Sequence, residues 1–156
     1  MPLIEPIIRP PAEANSLLLQ ITTGCSANSC TFCGAYLQKP FSIINWETIK
    51  KDIEDAAAHY PQTRKIFLLD GDALALNNEK LIPILQYINE CFPRLSRIAS
   101  YANGYNITNR SDEELQDLSK HKLKLIYIGL ESGSEEVLKD CKKKSTANEM
   151  VQAVRR

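Results

Sequence analysis

Short apolar runs alternate with amphipathic stretches along this chain, and the two carry different periods. Ser16-Leu17-Leu18-Leu19-Gln20-Ile21-Thr22 holds a continuous apolar run, with a buried strand predicted over Leu17–Thr22. Ile49, Ile53, Ala56 and Ala57 fall on one face of a predicted helix near Trp46–His59, with Asn45 as its cap. Lys65-Ile66-Phe67-Leu68-Leu69 is a second strand, ended by Asp70-Gly71-Asp72. Leu81, Ile84, Leu85 and Ile88 mark a helix near Glu79–Phe92. Arg97-Ile98-Ala99-Ser100-Tyr101 reads as a third strand, closed by Asn103-Gly104. Ser111 and Glu114 form a capping box for a helix reaching about Lys120. Leu125-Ile126-Tyr127-Ile128-Gly129 is the fourth strand. Ser134 caps a helix from Glu135 to near Cys141, and an amphipathic piece covers Thr146 to Arg156.

This alternation predicts an α/β fold, a parallel sheet of about four βα units joined by helical crossovers. Each strand ends in a polar loop: the segment after Thr22, then Asp70–Ala73, Asn103–Asn106 and Glu131–Gly133. In parallel α/β folds such carboxyl-end loops share one face, where sites are built. Pro2, Pro6, Pro10 and Pro11 make residues 1–15 a poor helix and a poor central strand, so they read as an extended leader packed on the outside of a domain spanning 16–156.

Composition narrows the function classes. With 24% charged and 44% hydrophobic residues, the 156-residue chain has the profile of one globular domain. Lys+Arg and Asp+Glu both number 19, so no bulk field argues for nucleic acid or an acidic membrane surface. No run approaches a membrane span, and the start lacks a basic segment followed by an apolar one. Five cysteines at unequal spacing fit a reducing compartment better than a disulfide framework, which makes cytoplasm the expected location.

The cysteines carry the chemistry. Cys25, Cys30 and Cys33 form a C-x4-C-x2-C cluster in the loop after the first strand. A structural zinc site needs a fourth ligand, and the only histidines, His59 and His121, lie far along the chain on or beside helices. Disulfide pairing leaves one thiol over. An iron–sulfur cluster with one iron free of cysteine fits the set, and an open coordination position is where chemistry happens. Cys91 and Cys141 have no cysteine partner at short spacing and read as non-ligands.

The run Ile21-Thr22-Thr23-Gly24-Cys25, the cluster to Cys33, and Gly129-Leu130-Glu131-Ser132-Gly133-Ser134-Glu135-Glu136-Val137-Leu138-Lys139 together resemble the radical S-adenosylmethionine (radical SAM) superfamily. The resemblance covers roughly residues 16 to 145. The superfamily's commonest spacing is C-x3-C-x2-C, and this chain has one extra residue between the first two cysteines. The resemblance implies that Cys25, Cys30 and Cys33 ligate three irons of a [4Fe–4S] cluster, with S-adenosylmethionine chelating the fourth. It implies reductive cleavage of that cofactor to a 5′-deoxyadenosyl radical, which abstracts hydrogen from a substrate. A one-electron reductant of flavodoxin or ferredoxin type is the implied partner.

Further residues carry over by position. Phe32 stands where the family has a residue whose backbone borders adenine. Asp70-Gly71-Asp72-Ala73 occupies the place of a Gly-Gly-Glu-like segment that binds the methionine ammonium. Which aspartate acts is open; a carboxylate meeting a cation and a glycine admitting close backbone approach make physical sense of the match. Glu131 and Ser132 resemble residues contacting the ribose or the methionine carboxylate side, and Asn103 is a further candidate.

Plainer readings exist for each. Asp70-Gly71-Asp72 and Asn103-Gly104 are also ordinary turn chemistry. Glu131 also suits a helix start, and Lys142-Lys143-Lys144 a solvated helix end. Trp46 reads as packing, and Tyr36 as a pocket residue or an ordinary loop aromatic. The superfamily's barrel has six strand–helix units, so the expected fold is the amino-terminal part of a partial (β/α)6 TIM-like barrel. That expectation carries three explanations: a truncated or split product, a second chain completing the barrel, or a reduced domain. Two function classes follow: a radical enzyme or fragment of one with an undetermined substrate, and a non-catalytic iron–sulfur or zinc module acting through a partner chain.

Overall fold

The computed structural model describes residues 3–156; residues 1 and 2 of the expected leader lie outside them. The elements are β1 (Leu17–Leu19), β2 (Thr22–Thr23), β3 (Ser42–Ile43), α1 (Trp46–His59), β4 (Lys65–Leu68), α2 (Asn78–Cys91), β5 (Arg97–Ala102), α3 (Gly104–Thr108), α4 (Asp112–Lys120), β6 (Leu123–Ile128), α5 (Glu135–Asp140) and α6 (Ala147–Arg155). Four strands form one parallel sheet in the order β1-β4-β5-β6. The sheet is open, with β1 and β6 as its edges. Its strand–helix rhythm is the predicted one.

Period-2 alternation on the strands creates two apolar faces. Leu19, Ile66, Leu68, Ile98 and Leu123 point to the side covered by α1, α2 and α4, where Ile49, Ile53, Leu81, Leu85, Ile88 and Leu118 complete the main core. Each fully buried leucine or isoleucine there contributes about 1.5–3 kcal/mol. The predicted caps hold this layer: Asn45 accepts from Thr48 N at 2.9 Å, and Ser111 and Glu114 form the reciprocal capping box.

Phe67, Leu69 and Ala99 point to the opposite face, beside the partly buried Leu18, Tyr101, Leu125 and Tyr127. Phe67, Tyr101 and Tyr127 pack edge-on, with ring centroids 5.3–6.1 Å apart. No helix covers this face in that cluster; Leu3 and Ile7 of the leader do. The leader thus covers part of a second apolar surface. It also carries Glu13 to a fully buried position, where Arg97 Nη2 (2.6 Å) and Tyr127 Oη (2.8 Å) donate to its carboxylate.

The predicted first strand is split. β1 stops at Leu19, and Thr22–Thr23 leaves the sheet to pair antiparallel with Ser42–Ile43. Thr23 Oγ1 reaches Pro40 O at 2.9 Å and Ser42 Oγ at 2.8 Å. This small ribbon clasps the base of the cysteine loop. The Asn103–Gly104 turn opens the short helix α3, which packs against α6. No helix among the described residues is long and apolar enough to cross a membrane.

Candidate functional site

The cysteine loop, the Asp70–Asp72 segment, the Asn103–Asn106 segment and the loop after β6 meet at the carboxyl ends of the strands. Gly24 opens the cysteine loop with φ +65°, a left-handed conformation that favours glycine, and a Cβ there would collide with the backbone at Lys39. Its N–H donates to Asp70 Oδ2 at 2.8 Å. Gly71 N donates back to Gly24 O at 2.9 Å. A Cβ at Gly71 would lie 2.7 Å from Cys25 Cβ and 3.1 Å from both Cys25 Sγ and Tyr36 Cε2. Gly71 therefore lets the loop after β4 press against the first cysteine, with Tyr36 buried behind it.

The two aspartates do different work. Asp70, fully buried, sits at φ 68° and forms an ion pair with Lys39 Nζ at 2.8 Å. Its charge is already met. Asp72 is also fully buried, facing the cysteine side. Its Oδ2 accepts from Ser26 Oγ, from Asn103 Nδ2 at 2.8 Å and from Asn106 Nδ2 at 2.6 Å. Its Oδ1 takes the more distant Asn103 N–H at 3.3 Å. Burial pushes the Asp72 carboxyl above its ordinary value, against the opposing pull of those hydrogen bonds. Ser26 Oγ also meets Tyr105 Oη at 2.6 Å.

Asn103 joins this network to the cysteines, its Nδ2 lying 3.7 Å from Cys25 Sγ. Cys25, Cys30 and Cys33 are free thiols, all half-buried. Burial raises the Cys30 thiol's pKa, Lys143 opposes that rise, and Cys25, Cys33 and Glu131 reinforce it. Phe32 is half exposed. Glu131 sits at φ 60°, with its carboxylate 3.2 Å from Lys143 Nζ. Ser132 Oγ accepts from Ser134 N at 3.1 Å, inside its own loop. Two post-strand acids, Asp70 and Glu131, are thus held in a left-handed backbone that costs non-glycine residues about 1–3 kcal/mol. Such outliers cluster at functional sites.

The segment 141–144 braces the loop from the other side. Thr31 N donates to Cys141 O at 3.0 Å, Ser29 Oγ to Lys142 O at 3.2 Å, and Lys144 Nζ to Ser26 O at 3.2 Å. Sequence reasoning did not single out Ser26, Lys39, Tyr105, Asn106 or Lys143 as site residues; Asn106 falls in the polar Asn103–Asn106 loop already expected at the site, and Lys143 in the run read as a solvated helix end. A cavity of about 830 Å³ lies at the other end of the strands, against Ser16, Leu17, Thr63 and Lys65. A second, of about 560 Å³, runs from Glu131 and Ser132 along α6.

Among the described residues, no three His, Cys, Asp or Glu side chains gather round a point that one metal ion could occupy. A single tetrahedral ion needs that convergence. An iron–sulfur cluster takes each thiolate on a different iron. Three unpaired thiols carried on one pinned loop are the kind of donor set that larger inorganic group takes.

The family described as "Radical SAM superfamily" matches residues 19–156. The chain belongs to the radical SAM superfamily. Solved structures share its fold. One is OxsB, a cobalamin-dependent S-adenosylmethionine radical enzyme with aqua-cobalamin and S-adenosylmethionine bound: TM-score 0.63, 23% identity, over 90% of this chain and 22% of that one. Another is BtrN, in complex with AdoMet and 2-DOIA: TM-score 0.56, 14% identity, over 87% of this chain and 53% of that one. This radical SAM chain therefore spans about a fifth of the first and about half of the second. No curated protein matches it by sequence.

Proposed function

We propose that this chain holds a [4Fe–4S] cluster on Cys25, Cys30 and Cys33, with S-adenosylmethionine on the remaining iron, as the cofactor-binding part of a radical SAM enzyme. When bound, that pair supplies a 5′-deoxyadenosyl radical for hydrogen abstraction from a substrate. The observation that carries the reading is the placement of three free thiols on a clasped loop at the carboxyl end of the parallel sheet, against Gly71 and the Asp72–Asn103 network.

The chain's own residues prepare that place. Gly24 and Gly71 bring two loops into backbone contact. Lys39 neutralises Asp70, so that carboxylate serves to anchor the loop. Asp72 is the better acceptor for a ligand's ammonium, since its partners are neutral donors that an ammonium can join or replace. Glu131 and Lys143 face each other beside Cys30 and offer a carboxylate and an ammonium to the ribose and methionine ends of the cofactor. Phe32 and Ser132 stand at the rim. A one-electron donor of flavodoxin or ferredoxin type is the proposed partner.

Anaerobic reconstitution tests this. Near four irons and four sulfides per chain, and a spin-resonance spectrum changed by S-adenosylmethionine, are expected. Bound zinc, or an iron content near zero, overturns the proposal in favour of a non-catalytic metal module or none.

A further inference from the structure

Asn103 is oriented by chemistry that leaves no choice of direction. Asp72 is fully buried and, when ionised, offers only acceptors. The group 2.8 Å from its Oδ2 must be the amide nitrogen of Asn103, not the oxygen. That amide has two hydrogens. One serves Asp72. The other faces Ser26 Oγ at 3.1 Å and Cys25 Sγ at 3.7 Å. Ser26 Oγ is itself engaged with Asp72 and Tyr105 Oη. Donating to Asp72 and accepting from Tyr105 leaves Ser26 Oγ one lone pair, so the second hydrogen is bifurcated between that oxygen and Cys25 Sγ, the latter at a distance usual for the larger acceptor.

From this geometry we infer that Asn103 is a positioning and tuning residue for the Cys25 thiolate: its amide, held by Asp72, donates a hydrogen bond to the sulfur and raises the reduction potential of the cluster on it. The inference rests on the cluster reading above. Reduction adds one electron and no proton to a group whose charge is spread over its sulfurs. A donor aimed at a ligating sulfur stabilises the more negative, reduced form. Asn103 also braces the loop through its backbone N–H, 3.3 Å from Asp72 Oδ1, and side-chain substitution leaves that contact in place.

The test compares reconstituted parent, Asn103→Leu and Asn106→Leu by spin-resonance-monitored redox titration with dithionite as the one-electron reductant, alongside iron and sulfide counts. Asn106 donates to the same Asp72 oxygen at 2.6 Å, so it controls for a general loosening of the network. The expected result is a potential shifted negative in Asn103→Leu and near the parent value in Asn106→Leu, with equal iron in all three. Equal shifts in both variants, or none in Asn103→Leu at full iron content, overturn the assignment. Should leucine fail to fold at position 103, Asn103→Ala deletes the donor without added bulk and is read the same way. A parent chain that takes up no iron overturns the cluster reading itself, and this inference with it.

Discussion

Lys39 Nζ lies 2.8 Å from Asp70 Oδ2, with the lysine side chain 5% exposed and the aspartate 0%. The same ammonium donates to Pro6 O at 3.1 Å, while Asp70 accepts from Gly24 N. One ion pair therefore ties the leader, the exit of β4 and the start of the cysteine loop together. Lys39→Met leaves a buried carboxylate unpaired and should destabilise the fold by about 3–5 kcal/mol in chemical denaturation. The double change Lys39→Met with Asp70→Leu should recover part of that loss, because the stranded charge is gone.

Gly71→Ala should displace the cysteine loop, since its methyl would sit 2.7 Å from Cys25 Cβ with Tyr36 blocking retreat. Overpacking of this kind costs about 1–3 kcal/mol. Iron retained after reconstitution should fall more sharply than the melting temperature, and equal retention by variant and parent would contradict the close approach.

Glu13 gives the protein an acid-sensitive strap. Burial raises its carboxyl, but hydrogen bonds from Ser16 and Tyr127 and the charge of Arg97 together hold it below its usual value. As acid is added, the unfolded chain takes up this proton before the folded one. The stabilisation is complete above the ordinary glutamate range and drains away as pH falls through the depressed folded value. Glu13→Gln should lower stability by about 1–3 kcal/mol at neutral pH and flatten this part of the acid limb. Melting temperatures of parent and variant across the acid range check both.

Cys30→Ala should abolish the brown chromophore of the reconstituted protein, whereas Cys91→Ala should keep it. Cys91 sits at the end of α2, away from the three-cysteine loop. Loss of colour in both would move the cluster from the proposed ligands.

Some of this was legible in the residues themselves. α1 begins and ends where Asn45 and the spacing of Ile49, Ile53 and Ala56 place it, because cap and period are local signals. The four parallel strands were readable because strands buried on both faces are continuous apolar runs. β2 and β3 were not, since two-residue strands have no period to detect. Nor could the sequence separate Asp70 from Asp72. Their distinguishing partners, Lys39 and Ser26, lie 31 and 46 residues away along the chain. The cysteines could be picked out by spacing alone, but the Asn103 amide behind Cys25 depends on a buried network that only folding assembles.

The leader's seat has a consequence for traffic. Leu3 and Ile7 upholster the hollow side of the sheet over Phe67 and Leu69, so that hollow is already furnished by the chain itself. A molecule seated against Phe67 and Leu69 would have to displace that stretch of extended chain first.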